Sequence, residues 1–165
     1  MKKHICTIIV VMVFFSCNTT VVQLEPVLGV KNVVFDKKFS YGDYLSMSGE
    51  GFSISIYDIS IQSAQDFLNS NEKLNYPEHK EGYKHISWVK TPLKNELKEV
   101  INLSAGYYSK NDKVKNYQKE IRKNLLSTNS YYAVDYIEEE QNIIEIYLYV
   151  FDPEIGRLYC VYNSV

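Results

Sequence analysis

Residues 131–164 read YYAVDYIEEEQNIIEIYLYVFDPEIGRLYCVYNS, and this stretch decides the fold. Three runs within it are rich in β-branched and aromatic residues and alternate in character, which predicts strands at 131–137, 143–151 and 157–163. Asp152 and Pro153 are typical of the start of a tight turn, and Gly156 is typical of its end. Because short links join antiparallel neighbours, the stretch predicts a three-strand antiparallel meander.

Helical periodicity appears upstream of the meander. It predicts helices over 61–69, from Pro92 to Gly106, and from Asp112 to about Asn129. Ser60 is a candidate N-cap for the first helix, and Thr91 with Pro92 forms a start signal for the second. In the third helix, Val114, Ile121 and Leu125 recur at spacings that place them on one face.

Strand-like runs also precede the meander. They lie at 31–35, 52–57 and 83–89, with a Gly-Glu-Gly turn signal before the second. In the last of these runs, alternation predicts that Ile86 and Trp88 share the core face. In chain order the runs and helices give β, β, α, β, α, α, β, β, β, which predicts an α+β domain. Its antiparallel sheet, including the C-terminal three-strand meander, is expected to pack against two to three helices.

The N-terminus carries a second informative pattern. Lys2 and Lys3 precede an apolar run at 5–15, which is followed by Ser16 and Cys17. This run is shorter than the roughly 20 residues of a membrane-spanning helix and matches the 7–15 residues of a secretory signal. The segment resembles a bacterial lipoprotein signal peptide, with Phe14-Phe15-Ser16-Cys17 in the position of the lipobox.

The resemblance implies a location and a processing event. Residues 1–16 would be removed, and Cys17 would carry acyl chains such as palmitate and anchor the protein to a membrane of the cell envelope, facing the periplasm. Residues 17–30 would form the lipidated cysteine and a short tether, and 31–165 a single domain. The tether is apolar enough to lie along the domain. Secretion without a lipid, an uncleaved anchor and a cytosolic location remain the alternatives.

Composition limits the classes of partner and the disulfide chemistry. Without Lys2 and Lys3 the net charge changes from −2 to −4, which argues against nucleic acid as a partner. Of the three cysteines, Cys6 would leave with the signal and Cys17 would carry the lipid. Cys160 would then have no intramolecular partner, and its alternating sequence context predicts burial as a small apolar residue.

Tyrosine is unusually abundant, with 15 copies in the chain. A candidate interaction face comprises Tyr132, Tyr136, Tyr147, Tyr149, Tyr159 and Glu145. Tyrosine favours strands and tolerates half-burial, so an ordinary sheet with one solvated face would show the same pattern. The sequence leaves both interpretations open.

Charge is unevenly distributed between the third helix and the meander. Residues 110–123 hold six basic and two acidic side chains, whereas residues 131–165 hold seven acidic side chains and Arg157. The candidate basic strip comprises Lys113, Lys115, Lys119, Arg122 and Lys123. It suits anionic lipid headgroups or an acidic partner, and equally a solvated helix face.

No recognised catalytic or metal-binding motif occurs in the sequence. His79 and His85 lie near Glu78 and Glu81, but their spacing matches no paired metal motif. Gly-x-Ser-x-Gly is absent, and the acidic run at 138–140 is typical of a charged turn. We therefore expect neither a metal nor a cofactor.

These patterns favour a binding or interaction module of the envelope, for example an immunity- or inhibitor-type protein with a protein partner. A small envelope enzyme acting on glycan or peptide is the alternative, with Asp135 and Glu145 as candidate carboxylates. It would require a pocket that holds both groups about 5–10 Å apart. A structural component of the envelope is the third possibility.

Overall fold

A computed structural model describes residues 23–44, 51–140 and 142–164, so the predicted signal peptide and Cys17 lie outside the described residues. The described chain forms a six-stranded antiparallel sheet. Its strands are β1 Phe35–Tyr44, β2 Gly51–Ile59, β3 Lys84–Lys90, β4 Tyr131–Glu139, β5 Asn142–Asp152 and β6 Arg157–Ser164. The spatial order is β1-β2-β6-β5-β4-β3, and every neighbouring pair is antiparallel.

Four α-helices accompany the sheet: α1 Glu25–Leu28, α2 Ile61–Asn69, α3 Lys98–Ala105 and α4 Asp112–Leu126. The predicted α+β class and the C-terminal meander β4-β5-β6 are confirmed. Helix α2 begins and ends at the predicted residues, and the Ser60 hydroxyl accepts a hydrogen bond of 3.2 Å from the Ser63 amide as an N-cap. None of the helices in the described ranges combines the length and the hydropathy that crossing a bilayer requires.

The larger core lies between one face of the sheet and helices α3 and α4. Val114, Ile121 and Leu125 of α4 are buried there, as their spacing predicts. Alternate residues of the central strands meet them, including Ile54 and Leu148. We call this side of the sheet the α3–α4 face.

A second core occupies one end of the opposite face. Ala64 and Phe67 of α2 pack there, and the Phe67 ring contacts Trp88 and Phe151 edge-on at centroid distances of 5.4 and 4.9 Å. Leu28 of α1 is also fully buried in this cluster. Helices α1 and α2 cover only this end of the second face, and the remainder carries polar and aromatic side chains.

The packed domain begins before residue 31, because residues of the preceding segment are buried in its core. Leu24, Leu28 and Val30 are buried in the second core, so the later part of the predicted tether is a packed part of the domain. The Glu78 amide donates a hydrogen bond of 3.0 Å to the Pro26 carbonyl, which fixes this segment further. Leu24 is seven positions after Cys17, a distance in sequence that spans at most roughly 25 Å.

The predicted start of the second helix is wrong. Thr91 does not cap a helix, because its amide donates to the Ser130 carbonyl and its hydroxyl also bonds Ser130, linking the end of β3 to the start of β4. A 3-10 turn at Asn95–Leu97 follows, and α3 begins at Lys98. Its end before Gly106 agrees with the prediction.

Ile86 and Trp88 lie on opposite faces of the sheet, which corrects the prediction that they share one. The pairing of β3 with β4 shifts register between Ile86 and Val89. Such a bulge adds one residue to the strand and reverses the alternation beyond it. Ile86 therefore packs on the α3–α4 face, whereas Trp88 is buried in the second core.

Candidate functional site

A row of four side chains crosses the second face beyond the part that α1 and α2 cover. Strand register pairs His85 with Asp135, Asp135 with Tyr147, and Tyr147 with Tyr162. Directly paired residues project to the same face, so the four side chains lie side by side across β3, β4, β5 and β6. We call this set the cross-strand row. The rings of Tyr147 and Tyr162 are 4.7 Å apart.

The loop before β3 lies over this row. The His79 ring is 5.4 Å from the His85 ring, and the Lys80 ammonium is 2.8 Å from the centre of the Tyr147 ring. Tyr83 donates a hydrogen bond of 2.6 Å from its hydroxyl to the Glu145 carboxylate, beside the same ring. The loop residues and the row together form a polar, aromatic surface, which we call the polar face.

His85 links a buried acid to a hydroxyl. Its Nδ1 lies 2.6 Å from Oδ1 of Asp135, and its Nε2 lies 3.0 Å from Oγ of Ser87. Asp135 has 0% of its surface exposed. An ionised carboxylate only accepts, so Nδ1 is the donor to it, and the other ring nitrogen faces the Ser87 hydroxyl.

The second oxygen of Asp135, Oδ2, is buried and finds no hydrogen-bond partner among the described residues. A buried polar atom without a partner costs about 1–3 kcal/mol, and more when it is charged. Nearly all such atoms in folded proteins have a hydrogen-bond partner, so the unpaired Oδ2 of Asp135 is an unusual feature of the polar face.

Lys80 is the cation of this surface. Burial lowers the pKa of its ammonium, while the nearby Asp135 and Glu145 carboxylates act in the opposite direction. Burial, together with the hydrogen bond to Glu145, raises the pKa of Tyr83, so this phenol is neutral at physiological pH. The ammonium above the Tyr147 ring is a cation–π contact, an arrangement used in ligand recognition.

The Ser87-His85-Asp135 chain has the order of a serine hydrolase relay. A hydrolase also needs oxyanion donors and a cavity for the substrate beside the nucleophile. Five surface cavities of the described residues have volumes of 190 to 460 Å³, and none of these five is lined by Ser87. Nor is any of them lined by Asp135 or Glu145, the predicted carboxylate pair.

The predicted tyrosine face is divided between two sides of the sheet. Tyr132 and Tyr159 are fully buried and Tyr136 packs against the same core, all on the α3–α4 face, so the first two cannot contribute to an exposed face. Strand alternation is the reason, since successive residues of one strand project to opposite faces and the register between strands decides which positions share a face. Tyr147, Tyr149 and Glu145 lie on the second face, where Tyr147 and Glu145 join the polar face.

The predicted basic strip lies on the exposed side of α4. All five residues are solvent-exposed: Lys113, Lys115, Lys119, Arg122 and Lys123. Lys115 pairs with Asp112 at 2.9 Å, and Arg122 donates 2.9 Å to the Ala105 carbonyl. The strip is therefore accessible, but it lies on the other side of the sheet from the polar face.

Cys160 lies between Ser55 and Tyr149 in the strand register. The residue is partly buried, and the burial of its thiol raises the pKa to about 12. The thiol is therefore protonated at neutral pH. The residue packs against the second core, although it is partly rather than fully buried.

The histidine cluster differs from the one that sequence proximity suggested. His79 and His85 are joined by Asp135, which lies 50 residues after His85, rather than by Glu78 and Glu81. Lys80, Tyr83, Ser87 and Tyr162 were not predicted as members of the site. The one available signal was an acid at Asp135 within an otherwise apolar strand run.

Comparisons with known proteins gave no match: no protein-family model matches the sequence, no curated protein is significantly similar to it, and no solved structure matches it. Function is therefore inferred from the geometry and the sequence.

Proposed function

We propose that the chain is a lipid-anchored protein of the cell envelope that binds a protein partner through the polar face. The observation that carries this proposal is the grouping of Tyr83, Tyr147 and Tyr162, all partly exposed, around the Lys80 ammonium. Tyrosine offers a large contact area at a small cost in conformational entropy, and it is enriched among the residues that dominate binding energy.

Contacts within the polar face hold its side chains in place without a partner, which supports the proposal. Tyr83 is held by Glu145 and Lys80 is held by two rings, so these side chains are already ordered. Ordering before binding lowers the entropic cost of association. An immunity- or inhibitor-type protein that covers the site of an enzyme fits this arrangement, because such partners dock rigid surfaces.

Membrane attachment is the other half of the proposal. It rests on the signal-like N-terminus and on Cys17. Replacing Cys17 with Ser should abolish incorporation of labelled fatty acid and release the protein from the membrane fraction. Unchanged fatty-acid labelling and membrane association in C17S would contradict lipidation at this residue.

The partner is tested with the full-length chain extracted from membranes in detergent. We expect one envelope protein in near-stoichiometric complex with the wild type, with binding weakened at least about 10-fold by Tyr162→Ala and by Tyr147→Ala. Tyr108→Ala is the matched control, since Tyr108 is 81% exposed, just before α4.

Three outcomes would contradict the partner proposal. Equal loss of binding in Y108A would show that the polar face is not the specific surface. Hydrolysis of envelope glycan or peptide by the wild type that stops in Ser87→Ala would favour the enzyme alternative instead. Absence of any stoichiometric partner would favour a structural component.

A further inference from the structure

We propose that His79, His85 and Asp135 form a binding site for a divalent transition metal ion of the Zn²⁺ class. One potential ligand atom from each of the three residues lies within 4.8 Å of the other two. Two imidazole nitrogens and one carboxylate oxygen are the donor set of many three-residue Zn²⁺ sites. The proposal does not rest on a protein partner or on membrane attachment.

The distances suit an ion after a small rearrangement. Zn²⁺ with bonds of about 2.0–2.2 Å holds tetrahedral ligand atoms roughly 3.3–3.6 Å apart, so His79 would move towards the ion, while Nδ1 of His85 and Oδ1 of Asp135, now 2.6 Å apart, would separate by about 1 Å. The proton that these two atoms share would be released on binding. His79 is exposed and lies in the loop, and its side chain can supply this movement. Because His79 is exposed, an ion can reach it from solvent.

An independent observation concerns the second carboxylate oxygen of Asp135. Asp135 is fully buried, and its Oδ2 finds no hydrogen-bond partner among the described residues. A carboxylate buried in this way is stabilised by a nearby positive charge or a metal ion. The hydrogen bond to His85 satisfies Oδ1 alone.

The backbone holds two of the three ligands in place. His85 and Asp135 are directly paired residues of β3 and β4, so the strand ladder fixes the distance between their backbones. Ser87 contacts the other ring nitrogen of His85 and limits rotation of the ring. Ligands that are oriented by neighbours bind metals more tightly than mobile ones.

Lys80 is the group that competes with a metal ion for Asp135. The Asp135 carboxylate already interacts electrostatically with the Lys80 ammonium. A bound dication would repel this ammonium, because two positive charges would then share one acidic site. Replacing Lys80 with Met should therefore tighten metal binding.

The test uses the full-length chain in detergent, with Zn²⁺ affinity measured by competition against a chromophoric chelator and Co²⁺ binding followed by visible d–d absorption. We expect one ion per chain, at least about 10-fold weaker binding in His79→Ala and in His85→Ala, and tighter binding in Lys80→Met. Glu81→Gln is the matched control in the same loop, and its affinity should equal that of the wild type.

His79→Ala decides the question, because His79 is exposed and its loss leaves the core intact. Asp135→Asn is informative only alongside it, since a buried acid also contributes to folding. All variants retain the same cysteines, so any binding of metal to thiols contributes equally to each. Wild-type affinity in H79A, or equal weakening in E81Q, would overturn the site.

Discussion

The indole Nε1 of Trp88 donates a hydrogen bond of 2.7 Å to the carbonyl oxygen of Val27. Trp88 is 2% exposed and packs against Phe67, while Val27 belongs to α1. The Trp88 amide also donates 2.9 Å to the Tyr76 carbonyl. One residue of β3 thus ties both the N-terminal segment and the loop before β3 to the second core.

Replacing Trp88 with Phe should destabilise the fold by about 1–3 kcal/mol. The carbonyl of Val27 would lose its partner in a part-buried setting, and the smaller ring would leave a space. Urea unfolding followed by circular dichroism measures the change. Tyr108→Phe, at an exposed position, should change the free energy of unfolding by less than about 0.5 kcal/mol. Equal stability of W88F and the wild type would show that the bond is unimportant.

Gly156→Ala should be more damaging than Gly82→Ala. Both glycines have positive φ, at 64° and 84°, so either substitution strains the backbone by about 1 kcal/mol. A Cβ at Gly156 would also meet the carbonyl oxygen of Ile59, whereas a Cβ at Gly82 would meet nothing within 4 Å. The steric contact should add further loss, measured as a lower urea midpoint for G156A than for G82A. Equal midpoints would show that backbone strain at positive φ accounts for the whole loss of stability and that the contact with Ile59 adds nothing.

Asp58 should contribute pH-dependent stability. Burial acts to raise its pKa, but hydrogen bonds from Arg157 at 3.0 Å and from Lys38 outweigh burial and lower the pKa below 3.8. The carboxylate is thus more acidic in the folded chain than in the unfolded one. Its contribution is complete above the unfolded pKa and is lost as the pH falls through the lowered value.

The test for Asp58 is the stability difference between the wild type and Asp58→Asn as a function of pH. We expect about 1 kcal/mol near neutrality, shrinking towards zero as the pH falls below 3.8. Asp66→Asn, which removes a carboxylate that accepts from Gln62, serves as the control. A stability difference that grows as the pH falls would show that folding raises the pKa of Asp58 rather than lowering it.

Cys160 should react slowly with alkylating reagents in the folded chain. Only the thiolate is nucleophilic, and a pKa of about 12 leaves very little of it at pH 7. Mass-spectrometric mapping of the Cys160 peptide after iodoacetamide treatment measures the rate, with the urea-unfolded chain as the reference. Rapid labelling of Cys160 before unfolding would show an activated thiol.

Local patterns predicted the elements whose causes are local. Ser60 caps α2 through a bond within one turn, and Gly156 adopts the positive φ that its turn needs. The meander follows from three adjacent runs with short links. Thr91 failed as a cap because its partner, Ser130, is 39 residues away and competes for the same polar groups.

The grouping of the site residues depends on the register between strands, and the periodicity of a single strand does not reveal that register. His85 meets Asp135 because β3 pairs with β4 across a long connection, and the bulge before Val89 decides where Trp88 projects. Alternation within β5 shows that Tyr147 and Tyr149 share a face. It cannot show that α3 and α4 cover the other one, which is where Tyr132 and Tyr159 are buried.

The position of β6 has a consequence for the order in which the sheet can form. β6 follows all the other strands in sequence, yet it lies between β2 and β5. While the chain emerges from its N-terminus, β2 and β5 have no strand between them, and the sheet stays open in two parts. The complete sheet can therefore close only after residue 157 and those beyond it have been synthesised, so the strand that joins its two parts is the last of the described strands to become available.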